Sequence, residues 1–192
     1  MKTARATAHS NIALVKYWGK RQGNPDLNLP AVSSLSMTLS ELRSETKVGQ
    51  ADVDVFTLNG LPVSGNAGQK VFRHLDRIWA LEHGTVRPAC SVESINHLPT
   101  AAGLASSASG FAALSLAGAA AFELEASQEE LSTLARRGSG SAARSLWGGF
   151  VRLDRGKMVD GSDCRAFPIF PASHWDTRLL VVHTAEGAKA IT

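Results

Sequence analysis

The sequence predicts an α+β domain in which antiparallel hairpins and helices mix without a strict β-α-β rhythm. Three observations carry that expectation. Asn59-Gly60 separates two apolar runs, 53–58 and 61–63, and that dipeptide tolerates the positive φ of a tight hairpin turn. The Ala-rich segment 106–124 reads as a long helix. Ser127 and Glu130 then form a capping box that opens a second helix, running to about Arg137.

The remaining elements follow in order. Residues 4–8 and 12–16 read as short strands, and 35–39 alternates apolar and polar side chains as a half-buried strand does. Val71, Leu75, Ile78 and Trp79 recur at helical spacing, with Gly84 as the expected terminator. Residues 90–95 read as a strand. Gly138 punctuates the capped helix. Strands over 150–153 and 166–169 are expected around the turn at 154–156, and 179–183 is a final strand. The polar stretch 185–192 after it is expected to open a linker or a further domain, leaving 1–184 as one domain.

Composition narrows the function. The 192 residues suit one large domain or part of a two-domain protein, and 44% hydrophobic residues suffice for a core. The net charge of +3 comes from scattered Lys and Arg, with no basic stripe and no interleaved aromatic platform. Nucleic-acid binding is therefore not expected, whereas a small anionic ligand is. Cys90 and Cys164 have no paired spacing, which argues for idle thiols in a reducing compartment rather than a disulfide or zinc site. No apolar run reaches the ~18 residues of a membrane span. Arg5, His9 and Lys16 interrupt any signal-peptide core. The expected setting is cytoplasmic.

Three clusters carry chemistry. In the first, a small-residue loop from Pro99 through Gly103 opens onto a helix at Ser106-Ser107-Ala108. First-turn N–H groups lack intrahelical partners and sit at the positive end of the helix dipole, so such a loop can hold phosphate. The same residues also suit a plain helix cap. The second cluster, Ser139-Gly140-Ser141-Ala142-Ala143-Arg144, places two hydroxyls and a guanidinium within six residues. Arg binds carboxylate or phosphate through a planar fork, but a polar loop with a solvated Arg has the same sequence. The third, Tyr17-Trp18-Gly19-Lys20, sets an aromatic pair beside Gly and Lys, as either a binding rim or a core Trp next to a surface Lys. Arg73 alone is a charge on an amphipathic helix. None of the three clusters contains Asp or Glu, although phosphoryl transfer to an alcohol generally uses a carboxylate.

Residues 99–108 fit the GHMP kinase signature PxxxGLxSSA. The segments 11–20, Asn28-Leu29-Pro30 with Ser33 to Ser36, 138–146 and Phe150-Val151-Arg152 resemble the diphosphomevalonate decarboxylase branch of that superfamily. The resemblance runs in order along essentially the whole chain. It implies the N-terminal GHMP domain, a two-layer fold also seen in a small-subunit ribosomal protein. It implies an ATP site at Pro99, Ala102, Gly103, Leu104, Ala105, Ser106, Ser107 and Ala108. It implies a mevalonate diphosphate site at Tyr17, Trp18, Gly19, Lys20, Arg73, Ser139, Gly140, Ser141, Ala142, Ala143 and Arg144. Lys20, Ser107 and Arg144 are then the candidate catalytic residues. Ser107 is expected near the γ-phosphoryl group and Arg144 at the substrate carboxylate.

The implied reaction is ATP-dependent decarboxylation to isopentenyl diphosphate, with Mg²⁺ on the ATP oxygens, no resident metal ligand and a homodimeric enzyme. Family members are longer and carry the catalytic Asp in their second half. The resemblance therefore implies a fragment whose carboxylate lies beyond Thr192. A phosphomevalonate decarboxylase, a GHMP kinase that stops at the phosphorylated product, and a ligand-binding fragment without turnover are the alternatives.

Overall fold

The computed structural model describes residues 1–16, 19–97 and 106–180. Its α+β fold is a seven-stranded sheet with three helices on one face. In chain order these are β1 (Ala4–Val15), β2 (Ser34–Gln50), β3 (Val55–Leu58), β4 (Leu61–Pro62), α1 (Gly65–Trp79), β5 (Cys90–His97), α2 (Ser106–Ala121), α3 (Gln128–Gly138), β6 (Phe150–Leu153) and β7 (Ala166–Phe170).

β2 organises the sheet. β1 runs antiparallel along most of it, β6 pairs with its first residues Ser34 to Met37, and β5 pairs with Arg43 to Gln50. β3 joins β5 in parallel through the α1 crossover, while β4 and β7 lie at edges. Ser44, Thr46 and Val48 of β2 are buried against the helices, and the intervening Arg43, Glu45 and Lys47 face away. That period of two is what a sheet covered on one face requires.

The two strands expected over 4–8 and 12–16 are one strand, with a register shift between His9 and Asn11. The strand expected at 35–39 is the first part of the 17-residue β2. α1 ends at Trp79 rather than near Gly84. Beyond it Leu81 N–H donates to Ile78 O and His83 N–H to Trp79 O, so Gly84, at φ +90°, closes a turn outside the helix. α2 stops at Ala121, short of 124: Leu124 N–H donates to Ala119 O at 2.9 Å, with Glu123 left-handed at φ 60°. This is the closure a Schellman motif makes, here without glycine. Leu179 and Leu180 are exposed and pair with no strand among the described residues; the rest of that expected strand lies outside them.

α2 is apolar on nearly every side, as a helix enclosed by its neighbours must be. Ala108, Ala112, Ala113 and Ala117 are fully buried in it. A Cβ at Gly118 would sit 2.9 Å from Leu75 Cδ2, so the missing side chain lets α1 approach α2. The main core joins Leu75 and Ile78 of α1 to Val48 and Val92 of the sheet. Each such side chain contributes about 1.5–3 kcal/mol by burial. A smaller core of Leu29, Ala143, Val151, Leu153, Cys164 and Ala166 lies under the β6–β7 end. Both cysteines are free and buried. Among the described residues no helix is long and apolar enough to cross a membrane.

Candidate active-site cleft

The C-terminus of α3 meets the first turns of α2 because Gly138 has no side chain. A Cβ there would run into the Phe111 ring. This approach sets Ser107 Oγ 3.3 Å from Ser139 Oγ, which lies 3.2 Å from Ser141 Oγ. The hydroxyls of the first and second sequence clusters thus form one line. Beneath α2, Ser109 Oγ lies 3.2 Å from Ser10 and 2.8 Å from Ser44, and Ser44 donates to Asn96 Oδ1 at 2.7 Å. These buried hydroxyls tie the start of α2 to β1, β2 and β5.

After Ser141 the chain makes a 3-10 turn, Ala142–Leu146. Asn11 fixes it by donating to Ser141 O at 3.0 Å and to Ser145 Oγ at 2.7 Å. Arg144 is buried in this turn; its Nε donates to Ser36 Oγ at 3.0 Å and its Nη1 to Ser34 Oγ at 2.6 Å. Two serines of β2 therefore fix the plane of the guanidinium.

These groups open onto a cleft of about 590 Å³. Lys20, Arg73, Ser107, Ser139, Gly140, Ser141 and Arg144 all line it. So do Asn28, Lys70, Arg77, Phe111 and Arg137, which the sequence reading did not select. Lys70, Arg73 and Arg77 had a readable signal: spacings of three and four put them on one face of α1. Asp26 is the sole carboxylate lining the cleft among the described residues, and it pairs with Arg77 at 3.1 Å. Six cations thus face one carboxylate.

The electrostatic strain is visible nearby. Burial, then the charges of Arg77 and Arg136, hold Arg137 below the usual arginine range, and its buried Nε has no hydrogen-bond partner among the described residues. Burial, backed by Arg77 and Arg137, pushes His74 down to about 3, so it is neutral beside Ser115 Oγ at 2.8 Å.

A second cavity of about 280 Å³ adjoins the cleft and shares Lys70, Ser107 and Phe111 with it. Phe56, Leu58, Val71, Val92 and Leu114 give it apolar walls, and Thr46, Ser94, Asn96 and Ser106 add polar groups to its lining.

Several expected contacts are not in either cavity. Ala142 packs into the main core, Ala143 into the smaller one, and Ala108 is fully buried, because their methyl groups point into the protein. Gly19 is exposed and lines neither cavity; its carbonyl accepts from Ala31 N–H. Tyr17, Trp18, Pro99, Ala102, Gly103, Leu104 and Ala105 lie outside the described residues. Among the described residues no three His, Cys, Asp or Glu side chains form a metal-binding group.

Residues 8–166 match the family model of the diphosphomevalonate decarboxylase-like N-terminal domain. The chain belongs to this family. A diphosphomevalonate decarboxylase of Gibberella zeae is 48% identical, the match covering 97% of this chain and 52% of that protein. The mevalonate diphosphate decarboxylase from Enterococcus faecalis, in a structure concerned with mevalonate diphosphate mediated ATP binding, superimposes with a TM-score of 0.80 at 44% identity, over 91% of this chain and 53% of that one. The MDDEF complex with MVAPP, AMPPCP and magnesium gives a TM-score of 0.79 at 44% identity, over 91% and 52% of the two chains. The chain thus spans about half the length of the curated relatives it matches.

Proposed function

We propose that this decarboxylase-family domain binds mevalonate 5-diphosphate in the cationic cleft and ATP in the adjoining cavity. It supplies these sites for ATP-dependent decarboxylation to isopentenyl diphosphate, ADP, phosphate and CO₂. One observation carries the reading: among the described residues six cations and a single carboxylate line the cleft, and Ser107 lines both cavities. The relatives' names and the ligands in their structures support the same assignment.

The substrate brings a diphosphate at one end and a carboxylate at the other. Arg144, held flat by Ser34 and Ser36, suits the carboxylate, for which a rigid fork is the better receptor. Lys20, Lys70 and Arg73 suit the phosphates as cationic donors, and this charge count favours diphosphate over monophosphate. The apolar walls of the second cavity fit an adenine ring. Ser106, Ser107 and the first-turn amides of α2 then face the nucleotide phosphates. Mg²⁺, carried on those phosphates, neutralises part of their charge.

Transfer of the γ-phosphoryl group to the 3-hydroxyl makes a leaving group. When phosphate departs with the C–O electron pair, the carboxylate's C–C pair forms the alkene and CO₂ is released. Donors already in place stabilise the departing phosphate without reorganisation. The hydroxyl proton needs an acceptor, and Asp26 is exposed and paired with Arg77. We assign the acceptor to a carboxylate outside these 192 residues. A homodimer in the cytoplasm completes the proposal, and two free buried thiols suit a reducing compartment.

Following ADP and CO₂ together, with this chain, MgATP and mevalonate diphosphate, tests the assignment of the acceptor. Bound ligand without release of either product is expected. Stoichiometric release of both would place the proton acceptor within this chain and overturn that part of the proposal.

A further inference from the structure

We propose that Arg136 is a positioning residue of the cleft: it holds the 24–28 turn from beneath and so, through Asn28, sets where Lys20 presents its ammonium group. The inference rests on the reading above of the cleft as a diphosphate site.

Arg136 is 1% exposed, and no carboxylate pairs with it among the described residues. A buried charge is costly unless its donors are met. Its Nε donates to Leu27 O at 3.0 Å, and its Nη1 donates to Gly161 O at 3.1 Å and to Cys164 O. Three backbone carbonyls from two separate loops therefore converge on one side chain of α3. A planar, multi-donor guanidinium can serve carbonyls lying in different directions; a lysine ammonium on its flexible stem does so less rigidly. The fit is close. Gly161 sits at φ +72°, and a Cβ there would lie 2.7 Å from Arg136 Nη2 and run into Leu29 Cδ2.

The next residues continue the grip. Asn28, left-handed at φ 49°, donates from Nδ2 to Arg137 O at 3.0 Å. Its Oδ1 accepts from Lys20 Nζ at 2.7 Å. Adjacent residues of α3 thus hold adjacent residues of the turn, and the second of these orients a cation of the cleft. An apolar side chain of similar volume would fill the same space without the desolvation cost. Stability alone therefore does not explain an arginine, whereas fixed placement of Leu27 and Asn28 does.

The test combines amide exchange with binding. Arg136→Met should speed exchange at Arg21, Asn28 and Cys164, whose N–H groups bond within these loops, while the α1 core stays protected. It should weaken mevalonate diphosphate binding at least tenfold, and Arg136→Lys should recover part of both effects. If Arg136→Met does not fold, Arg136→Lys carries the comparison against the parent. In an Asn28→Ala background the loss of affinity should largely vanish, because Arg136 acts through Asn28. Unchanged exchange in the two loops, or additive losses in the double variant, would overturn the proposal. A parent chain that does not bind mevalonate diphosphate would sink the functional reading alone, and the exchange comparison would then decide whether Arg136 holds the turn.

Discussion

Arg144 and Arg137 show how the same side chain takes different parts in one cleft. Arg144 is held by Ser34 and Ser36, so its orientation is set before any ligand arrives. Arg144→Ala should weaken mevalonate diphosphate binding by about 2–4 kcal/mol, since a desolvated carboxylate loses its partner. Calorimetry should show the corresponding rise in Kd of about 30- to 900-fold, and an unchanged Kd would contradict the assignment. Arg137 was not legible in the sequence, because the cleft it lines is assembled from segments distant in the chain, Asn28 and Arg77 among them. Lys70 and Arg77 were legible in principle through their helical spacing with Arg73. His74 carries a pH prediction. Burial lowers its pKa to about 3 from an ordinary 6.5, so the unfolded chain takes up a proton that the folded one refuses. Its contribution to stability is complete above about pH 6.5 and is lost as pH falls from there toward 3, at up to about 1.4 kcal/mol per pH unit. Urea unfolding of His74→Gln between pH 7 and 4 should show a shallower decline than the parent. Parallel curves would refute this.

At the scale of elements, the contact between α2 and α3 decides whether the serine line exists. Gly138→Ala would press a methyl group into the Phe111 ring. Overpacking of this kind costs about 1–3 kcal/mol. Urea denaturation should show that loss, and Phe111→Leu should relieve much of it. Destabilisation that persists unchanged in the double variant would place the cause elsewhere. The capping box was readable because it is local: Ser127 N–H donates to Glu130 Oε2 at 2.8 Å and Glu130 N–H to Ser127 Oγ at 3.3 Å. The hairpin at Asn59-Gly60 was readable for the same reason, with φ 51° and 78° in the turn. The length of β2 was not. Its middle, Ser40 and Glu41, is exposed and polar, and the strand is held on either side of it, by β1 and β6 before and by β1 and β5 after. The break between two expected strands at 9–11 was likewise a register shift around the buried Ser10 and Asn11, whose side chains serve α2 and the Arg144 turn.

For the whole molecule, the α+β class and the family were legible, because the hairpins, the caps and the Pro99–Ala108 signature are all local in sequence. The cleft was legible in part. Ser139, Ser141 and Arg144 share one segment and Ser107 falls in the signature before α2, but the charge imbalance arises only when α1, α3 and the 24–28 turn converge. Under the proposed function, that imbalance is what suits the cleft to a substrate with two anionic ends. The most direct measurement is a calorimetric titration of this chain with mevalonate 5-diphosphate and, separately, mevalonate 5-phosphate, at low and high salt. One saturable site is expected, at least tenfold tighter for the diphosphate, with affinity falling as salt rises. No binding, or equal affinity for the two ligands at both salt concentrations, would contradict it.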